Sequence, residues 1–265
     1  MKTINTEEMK QLQLAIMADV ADFCEKNSIR YFLSGGSMLG AVRHHGFIPW
    51  DDDIDLNMPR PDYNRFIKEY NSNHFTVYCW EKNPDFVCTY AKVADDRTYL
   101  EENSNFGIKL GVNIDIFPVD GLPGSDKRVE RTVSKIKILW GLVVCATVQD
   151  ITRRTTKKKI EISLMRCFYK VFHLESYFAG LTIRRAQKYH FDNSSKVAVL
   201  VWGYGKKEVL SHKTACEYAK VPFEEHEFYI LKNYDEYLSN LYGDYMSLPP
   251  EKDRVYKHQS KAFWL

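Results

Sequence analysis

The stretch PWDDDIDLNMP, residues 49–59, sets four carboxylates, Asp51, Asp52, Asp53 and Asp55, within five positions and then turns apolar. Asp is a poor strand former and like charges side by side repel, so stability alone would leave this run in solvent. Ile54 and Leu56 argue otherwise. A strand over residues 53–57 sends both of them into a core by period-two alternation and leaves Asp53 and Asp55 together on the opposite face. Two carboxylates aimed the same way invite a divalent cation.

Composition narrows what that cation would serve. At 265 residues, 45% hydrophobic and 27% charged, the chain has the make-up of an ordinary globular protein with one large core or two modest ones. Lys plus Arg number 37 against 35 Asp plus Glu, a net of +2, so nothing pulls the chain toward nucleic acid. The six cysteines are scattered, with no CxxC pair, and the opening MKTINTEEMK has no apolar signal segment. Both point to a cytoplasmic location with buried thiols. Residues 138–148, ILWGLVVCATV, are continuously apolar but fall short of the roughly 20 residues a spanning helix needs. They read as a core helix with solvated basic flanks: Arg128, Arg131, Lys135 and Lys137 before, Arg153, Arg154, Lys157, Lys158 and Lys159 after. The alternative is an interfacial helix in peripheral contact with anionic lipid on the inner membrane face.

Periodicity predicts a helix over residues 6–27, capped near Thr6, then a strand over 29–34, a turn at Gly35-Gly36 and a short helix from Ser37 to Arg43. Strand, glycine turn, helix is a phosphate-binding arrangement. Pro59 and Pro61 start a helix reaching about Tyr70, and strands follow near 75–80, 86–93 and 111–117. Beyond the LPGS of residues 122–125 the chain looks helical to about 192 and mixed thereafter, with a last helix near 234–241. The module boundary therefore falls between a core of residues 1–125 and a helical and mixed module of residues 126–265.

Three accounts of the acidic run compete. Asp51, Asp53, Asp55 and Asn57 sit at positions 1, 3, 5 and 7 of a calcium loop, but position 6 is Leu56 where a glycine turn is needed and position 12 is Asp62 rather than Glu. A solvated acidic turn capping the next helix needs no ligand at all. The third account uses both flanks. Upstream lies SGGS, Ser34 to Ser37; downstream lies VNIDIFP, Val112 to Pro118, where Ile114 and Ile116 alternate with Asp115. A phosphate-cradling turn, a D-x-D pair and a third acid one strand away are what metal-assisted phosphoryl transfer needs. That order resembles the polymerase-beta type of nucleotidyltransferase fold, although the interval from Ser37 to Asp53 is long for that superfamily.

The interval itself is informative. GGSMLGAVRHHGFIPWDDDIDLNMPRPDY, VNIDIFPVDGLP and YDEYLSNLYGDYMSLPPEKDR together resemble the LicD proteins, bacterial phosphocholine transferases related to the fukutin group of ribitol phosphate transferases. The likeness reaches both ends of the chain; residues 126–195 carry no matching motif. It implies an α+β fold, a polymerase-beta-like nucleotidyltransferase core of mixed sheet flanked by helices, with a largely helical C-terminal half. It also implies an enzyme moving phosphocholine or a similar phospho-alcohol from CDP-choline or another CDP-alcohol to a sugar hydroxyl. The acceptor would be a glycan or lipid-linked saccharide, a lipopolysaccharide or teichoic acid precursor, and CMP would be released. A transferase of nucleoside monophosphates is the alternative enzyme, and a non-catalytic metal-binding module the alternative to an enzyme.

In that scheme Asp53 and Asp55 hold Mg²⁺ or Mn²⁺ on the donor pyrophosphate, and Asp115 completes a second site or accepts the proton of the attacking hydroxyl. Asp51 lies on the same face by alternation and binds the metal through water or orients its ligands, whereas Asp52 points away and is the dispensable acid of the run. Ser34, Gly35, Gly36 and Ser37 cradle phosphate. Arg43 either pairs with phosphate in the transition state or complements a helix dipole. Lys92 reaches the donor or is an edge-strand lysine. Trp50 and the Tyr242–Tyr245 block stack on cytosine or belong to the core. A quaternary ammonium would want an aromatic cage, but the sequence does not say which rings make it.

Overall fold

A ten-residue strand, Asn113–Leu122, is the spine around which the other elements are arranged. The computed structural model describes residues 2–101, 104–148, 155–172, 174–202, 204–256 and 261–265. Before the spine come β1 (Lys2–Ile4), α1 (Thr6–Lys26), β2 (Phe32–Leu33), α2 (Gly35–His44), β3 (Asp55–Pro59), α3 (Arg60–Glu69), β4 (Phe75–Tyr78), β5 (Ala91–Asp95) and β6 (Thr98–Glu101), which makes the spine β7. After it come α4 (Asp126–Thr147), α5 (Thr156–Phe172), α6 (Glu175–Ala186), β8 (Lys196–Val199), β9 (Leu210–Ser211), β10 (Tyr218–Phe223), β11 (His226–Leu231), α7 (Tyr234–Tyr242) and β12 (Lys261–Trp264). The fold is mixed α and β.

Strand β7 takes β3 in parallel on one side; on the other it pairs antiparallel with β5 along its first half and with β8 along its second. The main sheet runs β2-β3-β7-β5-β4, with β8 and β9 branching from β7. Strands β1, β12 and β6 form a small separate sheet, and β10 and β11 a hairpin that packs on β2. Buried apolar side chains hold these layers together: Leu14, Ile54, Phe66 and Ile116 share one cluster with Val129, Val197, Phe228 and Tyr237. Residues on both sides of position 125 thus contribute to the same sheet and the same core.

Local chemistry accounts for the elements next to the sheet. Helix α1 buries Leu14, Met17, Val20, Ala21 and Cys24, spaced three and four apart, against β7 and β5. Its cap is Asn5, whose side chain accepts the Glu8 N–H at 2.8 Å, rather than the Thr6 expected from sequence. Helix α3 opens with Pro61 in its first turn and is tied to β7 by a buried pair in which Arg60 donates twice to Asp120, both at 2.7 Å.

Several sequence expectations need adjustment. The strand expected over 29–34 shortens to Phe32–Leu33, and the expected strand over 86–93 begins only at Ala91. Strand β6 was not anticipated. The supposed glycine turn is the first turn of α2 itself, with Ser34 at its N-cap in extended conformation. Lys92 lies on β5, which is flanked by β4 and β7, so it is not an edge-strand residue. The apolar run near residue 138 falls within α4, where Val143 is buried and Ile138 exposed; among the described residues no helix is long and apolar enough to cross a membrane. Arg153 and Arg154 lie outside the described residues. Cys24, Cys79 and Cys88 are buried as expected, but Cys167 is exposed.

Candidate active site

Register brings the acids together. Asp55 on β3 lies directly beside Asp115 on β7, and Asp115 lies directly beside Lys92 on β5. In-register neighbours in adjacent strands project to one face, so two carboxylates and an ammonium form a single row across the sheet. Lys92 donates to Asp115 Oδ1 at 2.7 Å and to Asn113 Oδ1 at 2.9 Å, and its side chain is buried. The Asp115 N–H is held by the Ile54 carbonyl at 3.0 Å.

The strand expected over 53–57 begins only at Asp55 and runs to Pro59, so Asp51 and Asp53 precede it, yet burial still alternates through the run. Asp51, Asp53 and Asp55 are half-buried, whereas Asp52, Ile54 and Leu56 are buried. Burial raises the Asp53 carboxyl well above the usual range, and the charges of Asp51, Asp115 and Asp52 raise it further. Asp55 is raised in the same way, by burial and then by Asp53, Asp115 and Asp51, with Lys92 opposing. Asp51, Asp52, Asp53, Asp55 and Asp115 therefore bear on one another, with Lys92 the cation set directly against the row. All the donors are hard carboxylate oxygens, the set that suits Mg²⁺ or Mn²⁺ and not a soft ion. Among the described residues, no three acid, His or Cys side chains are already gathered closely enough to form a ready-made ion cage.

The first turn of α2 faces these acids. The Ser34 N–H donates to the Asp55 carbonyl at 2.9 Å, and the Asp55 N–H donates to Ser37 Oγ at 2.9 Å, so turn and strand are fastened twice. Gly35 has φ +47°, which favours glycine, and a Cβ placed on Gly36 would lie 2.6 Å from Asp51 Oδ2. Glycine is what lets the turn approach the carboxylates. The expected cradle is partly committed already, because the Gly35 N–H donates to the Tyr237 hydroxyl at 3.2 Å and Ser34 Oγ shares a hydrogen bond with the same hydroxyl at 3.1 Å.

Arg43 and Trp50 sit toward the other end of α2. The Arg43 guanidinium donates to the Tyr245 carbonyl at 2.7 Å and the Ser247 carbonyl at 3.4 Å, so it fastens the C-terminal YGDYMS segment. Trp50 packs edge-on to His44 and lies under the Arg254 guanidinium. Neither makes a direct contact with the acids in this arrangement.

Sequence reasoning missed a second layer apart from Tyr242, which lies in the Tyr242–Tyr245 block named above. Glu208 is buried, and burial lifts its carboxyl to about 7 with the Tyr237 hydroxyl opposing. Tyr237 is the same residue whose hydroxyl meets Ser34 and Gly35. Tyr204 and Tyr242 both have hydroxyls raised first by burial and further by neighbours that include Asp55. Tyr237 reads in the sequence as one more apolar position of α7, beside Leu238 and Leu241, and a lone Glu208 in a lysine-rich turn carries no signal.

With this geometry in place, comparison with known proteins is informative. Residues 28–134 match the family model described as LicD/FKTN/FKRP, nucleotidyltransferase domain, a span that contains the α2 turn, the acidic run, Lys92 and Asp115. The lipopolysaccharide cholinephosphotransferase LicD of Haemophilus influenzae is 30% identical over an alignment of 282 positions that covers the whole of both chains. The chain belongs to the LicD family. The mouse and human ribitol 5-phosphate transferase FKRP share a shorter block with it, 51% identical over 39 residues, which is 15% of this chain and 8% of theirs. Glu208, Tyr237 and Tyr242 lie outside the residues that the family model matches.

Proposed function

We propose that this LicD-family chain is a metal-dependent phosphotransferase that moves phosphocholine, or a similar phospho-alcohol, from a CDP-linked donor to a sugar hydroxyl of a lipopolysaccharide or teichoic acid precursor. The observation that carries it is the Asp55–Asp115–Lys92 row beside the α2 turn, within the residues that match the family model and in a chain covered from end to end by the cholinephosphotransferase relative. The core is read as a polymerase-beta-like nucleotidyltransferase core, and the location as the cytoplasm, where the activated donor would be supplied.

In this reading the acceptor oxygen attacks the phosphorus that carries the alcohol. A P–O bond forms to the sugar, the P–O bond to the bridging oxygen breaks, and CMP departs with that electron pair. Asp53 and Asp55, with Asp51 beside them, would hold a Mg²⁺ or Mn²⁺ ion, which when bound would neutralise charge on the donor phosphates. Asp115, oriented by Lys92, takes the hydroxyl proton. Since the Gly35 N–H is given to Tyr237, contact with phosphate falls to the backbone of Gly36 and Ser37. Arg43 steadies the C-terminal segment at the cleft instead of meeting the donor directly.

The test is incubation with Mg²⁺, a truncated saccharide acceptor and, in turn, CDP-choline, CDP-ribitol and CTP. CMP release with an added phospho-alcohol on the acceptor by mass spectrometry is the expected result. An added nucleoside monophosphate with pyrophosphate release would overturn it in favour of a nucleotidyltransferase.

A further inference from the structure

Helix α5, Thr156–Phe172, carries apolar residues on two opposite sides. Toward the protein it buries Ile162 and Tyr169, two turns apart, and the Tyr169 ring lies 5.5 Å from that of Phe178 in α6. Arg166 fastens the helix to α4 by donating to the Cys145 carbonyl at 3.2 Å. With about 100° of rotation per residue, Ile160, Leu164 and Cys167 then stand on the far side, at the i, i+4, i+7 spacing of a single stripe. Ile160 is 56% and Leu164 68% exposed, and Cys167 is exposed with them. A surface helix ordinarily turns charge outward there. The sequence offered the apolar run of α4 as a lipid-facing segment, but residues 139–148 of that run are half-buried or buried. The outward stripe belongs to α5 instead.

Charge says what the stripe faces. Lys157, Lys158 and Lys159 fill the first turn of α5, which holds no acid, and Glu161 is the one acid in the helix. A helix N-terminus favours carboxylates and disfavours ammonium groups, so three lysines there cost helix stability. Lys158 recovers only an exposed pair with Glu161 at 3.1 Å. The lysines are suited to an anion outside the chain. A second copy meeting the same face would set lysines against lysines, and a stripe one helix wide falls well short of the ~800 Å² per partner that a stable dimer buries. Anionic headgroups above acyl chains match both features. Ile160 and Leu164 enter the boundary, while Lys157, one turn before Ile160, reaches lipid phosphates on its long stem.

We propose that the outward face of α5 is a membrane-docking surface that seats the chain on an anionic bilayer, with Ile160 and Leu164 in the interface and the Lys157–Lys159 turn on the headgroups. The contact is peripheral, since among the described residues no helix is long and apolar enough to cross a membrane. Docking does not depend on the phosphotransferase reading; joined to it, docking brings the enzyme to an acceptor carried on lipid.

Flotation with vesicles tests this, comparing equal parts of phosphatidylglycerol and phosphatidylcholine with phosphatidylcholine alone. The wild type should bind the mixed vesicles at least roughly tenfold better than the neutral ones, and less well at high salt. Ile160→Gln/Leu164→Gln and Lys157→Gln/Lys158→Gln should each weaken binding to the mixed vesicles roughly tenfold or more. Their melting temperatures should be unchanged, because all four side chains are exposed in a helix that Gln suits. A polarity-sensitive dye on Cys167 should shift to shorter wavelength when mixed vesicles are added. No binding by the wild type, equal binding to both vesicles, or binding that survives both pairs of substitutions overturns the docking surface. A sedimenting dimer that Ile160→Gln/Leu164→Gln dissolves, without vesicle binding, would give the face to a second copy. Vesicle binding with no transfer from any CDP-alcohol would keep the docking surface and remove the transferase reading.

Discussion

Glu208→Gln separates the buried layer behind the site from the acids in front of it. Burial lifts the Glu208 carboxyl from an ordinary 4.5 to about 7, so the folded chain keeps a proton that the unfolded chain has already lost. A raised carboxylate of this kind contributes stability that is complete below the unfolded pKa and is lost as pH rises through the folded one. The window is therefore pH 4.5 to 7. At 1.36 kcal/mol per pKa unit the full effect is about 3 kcal/mol, and about 2.5 kcal/mol of it falls between pH 5 and 8. Gln cannot ionise, yet it keeps an acceptor for the Tyr237 hydroxyl. Its additional amide donor costs about 1–3 kcal/mol, but does so at every pH. Asp53 and Asp55 also titrate from raised values, and because both proteins carry them their contribution cancels in the comparison. Thermal unfolding at pH 5, 6.5 and 8 should show the variant gaining on the wild type by roughly 5–10 °C across that range. Parallel curves for the two proteins would refute the buried, proton-holding Glu208.

Asp53→Asn and Asp55→Asn should each lower turnover by roughly two orders of magnitude or more while leaving the melting temperature equal or higher at pH 7, because each removes repulsion from a crowded cluster. A matched loss of activity and stability would contradict this. Mg²⁺ added with CDP-choline should raise the melting temperature of the wild type and not that of Asp55→Asn, a difference that scanning fluorimetry resolves. Asp52→Asn should spare turnover, since Asp52 is buried on the side away from the row; if it proves as critical as Asp53, the face assignment of the whole run is wrong. Gly36→Ala should lose activity at least roughly tenfold with a near-normal far-ultraviolet spectrum, because the added methyl must displace the Asp51 carboxylate.

How much of this was legible in the sequence depends on the range of the interactions involved. Period-two alternation is local, and it correctly separated Asp51, Asp53 and Asp55 from Asp52, Ile54 and Leu56 before any partner strand was known. It could not show that Asp55 and Asp115 share a register position, because sixty residues separate them and only the parallel pairing of β3 with β7 sets the offset. The same limit hid Lys92. Its environment is decided by which strands flank β5, a property of topology that no window of sequence contains. Glu208 and Tyr237 were invisible for a related reason: each looks ordinary alone, and their meaning arises only where α7 crosses behind the α2 turn. The glycine pair was misread at finer scale, since Gly35 with positive φ resembles a turn residue but here opens a helix.

The charged row also explains how the chain tolerates its acids. Carboxylates gathered at one end of a sheet would repel the strands that carry them, and Asp53 and Asp55 respond by holding protons more tightly. Asp115 is relieved differently, by an ammonium from the next strand that also bonds Asn113. Lys92 is buried, so its charge is worth keeping only while a partner stays within reach; loss of Asp115 would strand it in the sheet. The row is thus self-neutralising at one end and proton-hungry at the other. In the proposed mechanism an ion held by Asp53 and Asp55 would leave the Lys92–Asp115 pair intact. The order β3-β7-β5 sets Asp55 on the side of β7 away from β5 and puts Asp115 directly beside Lys92.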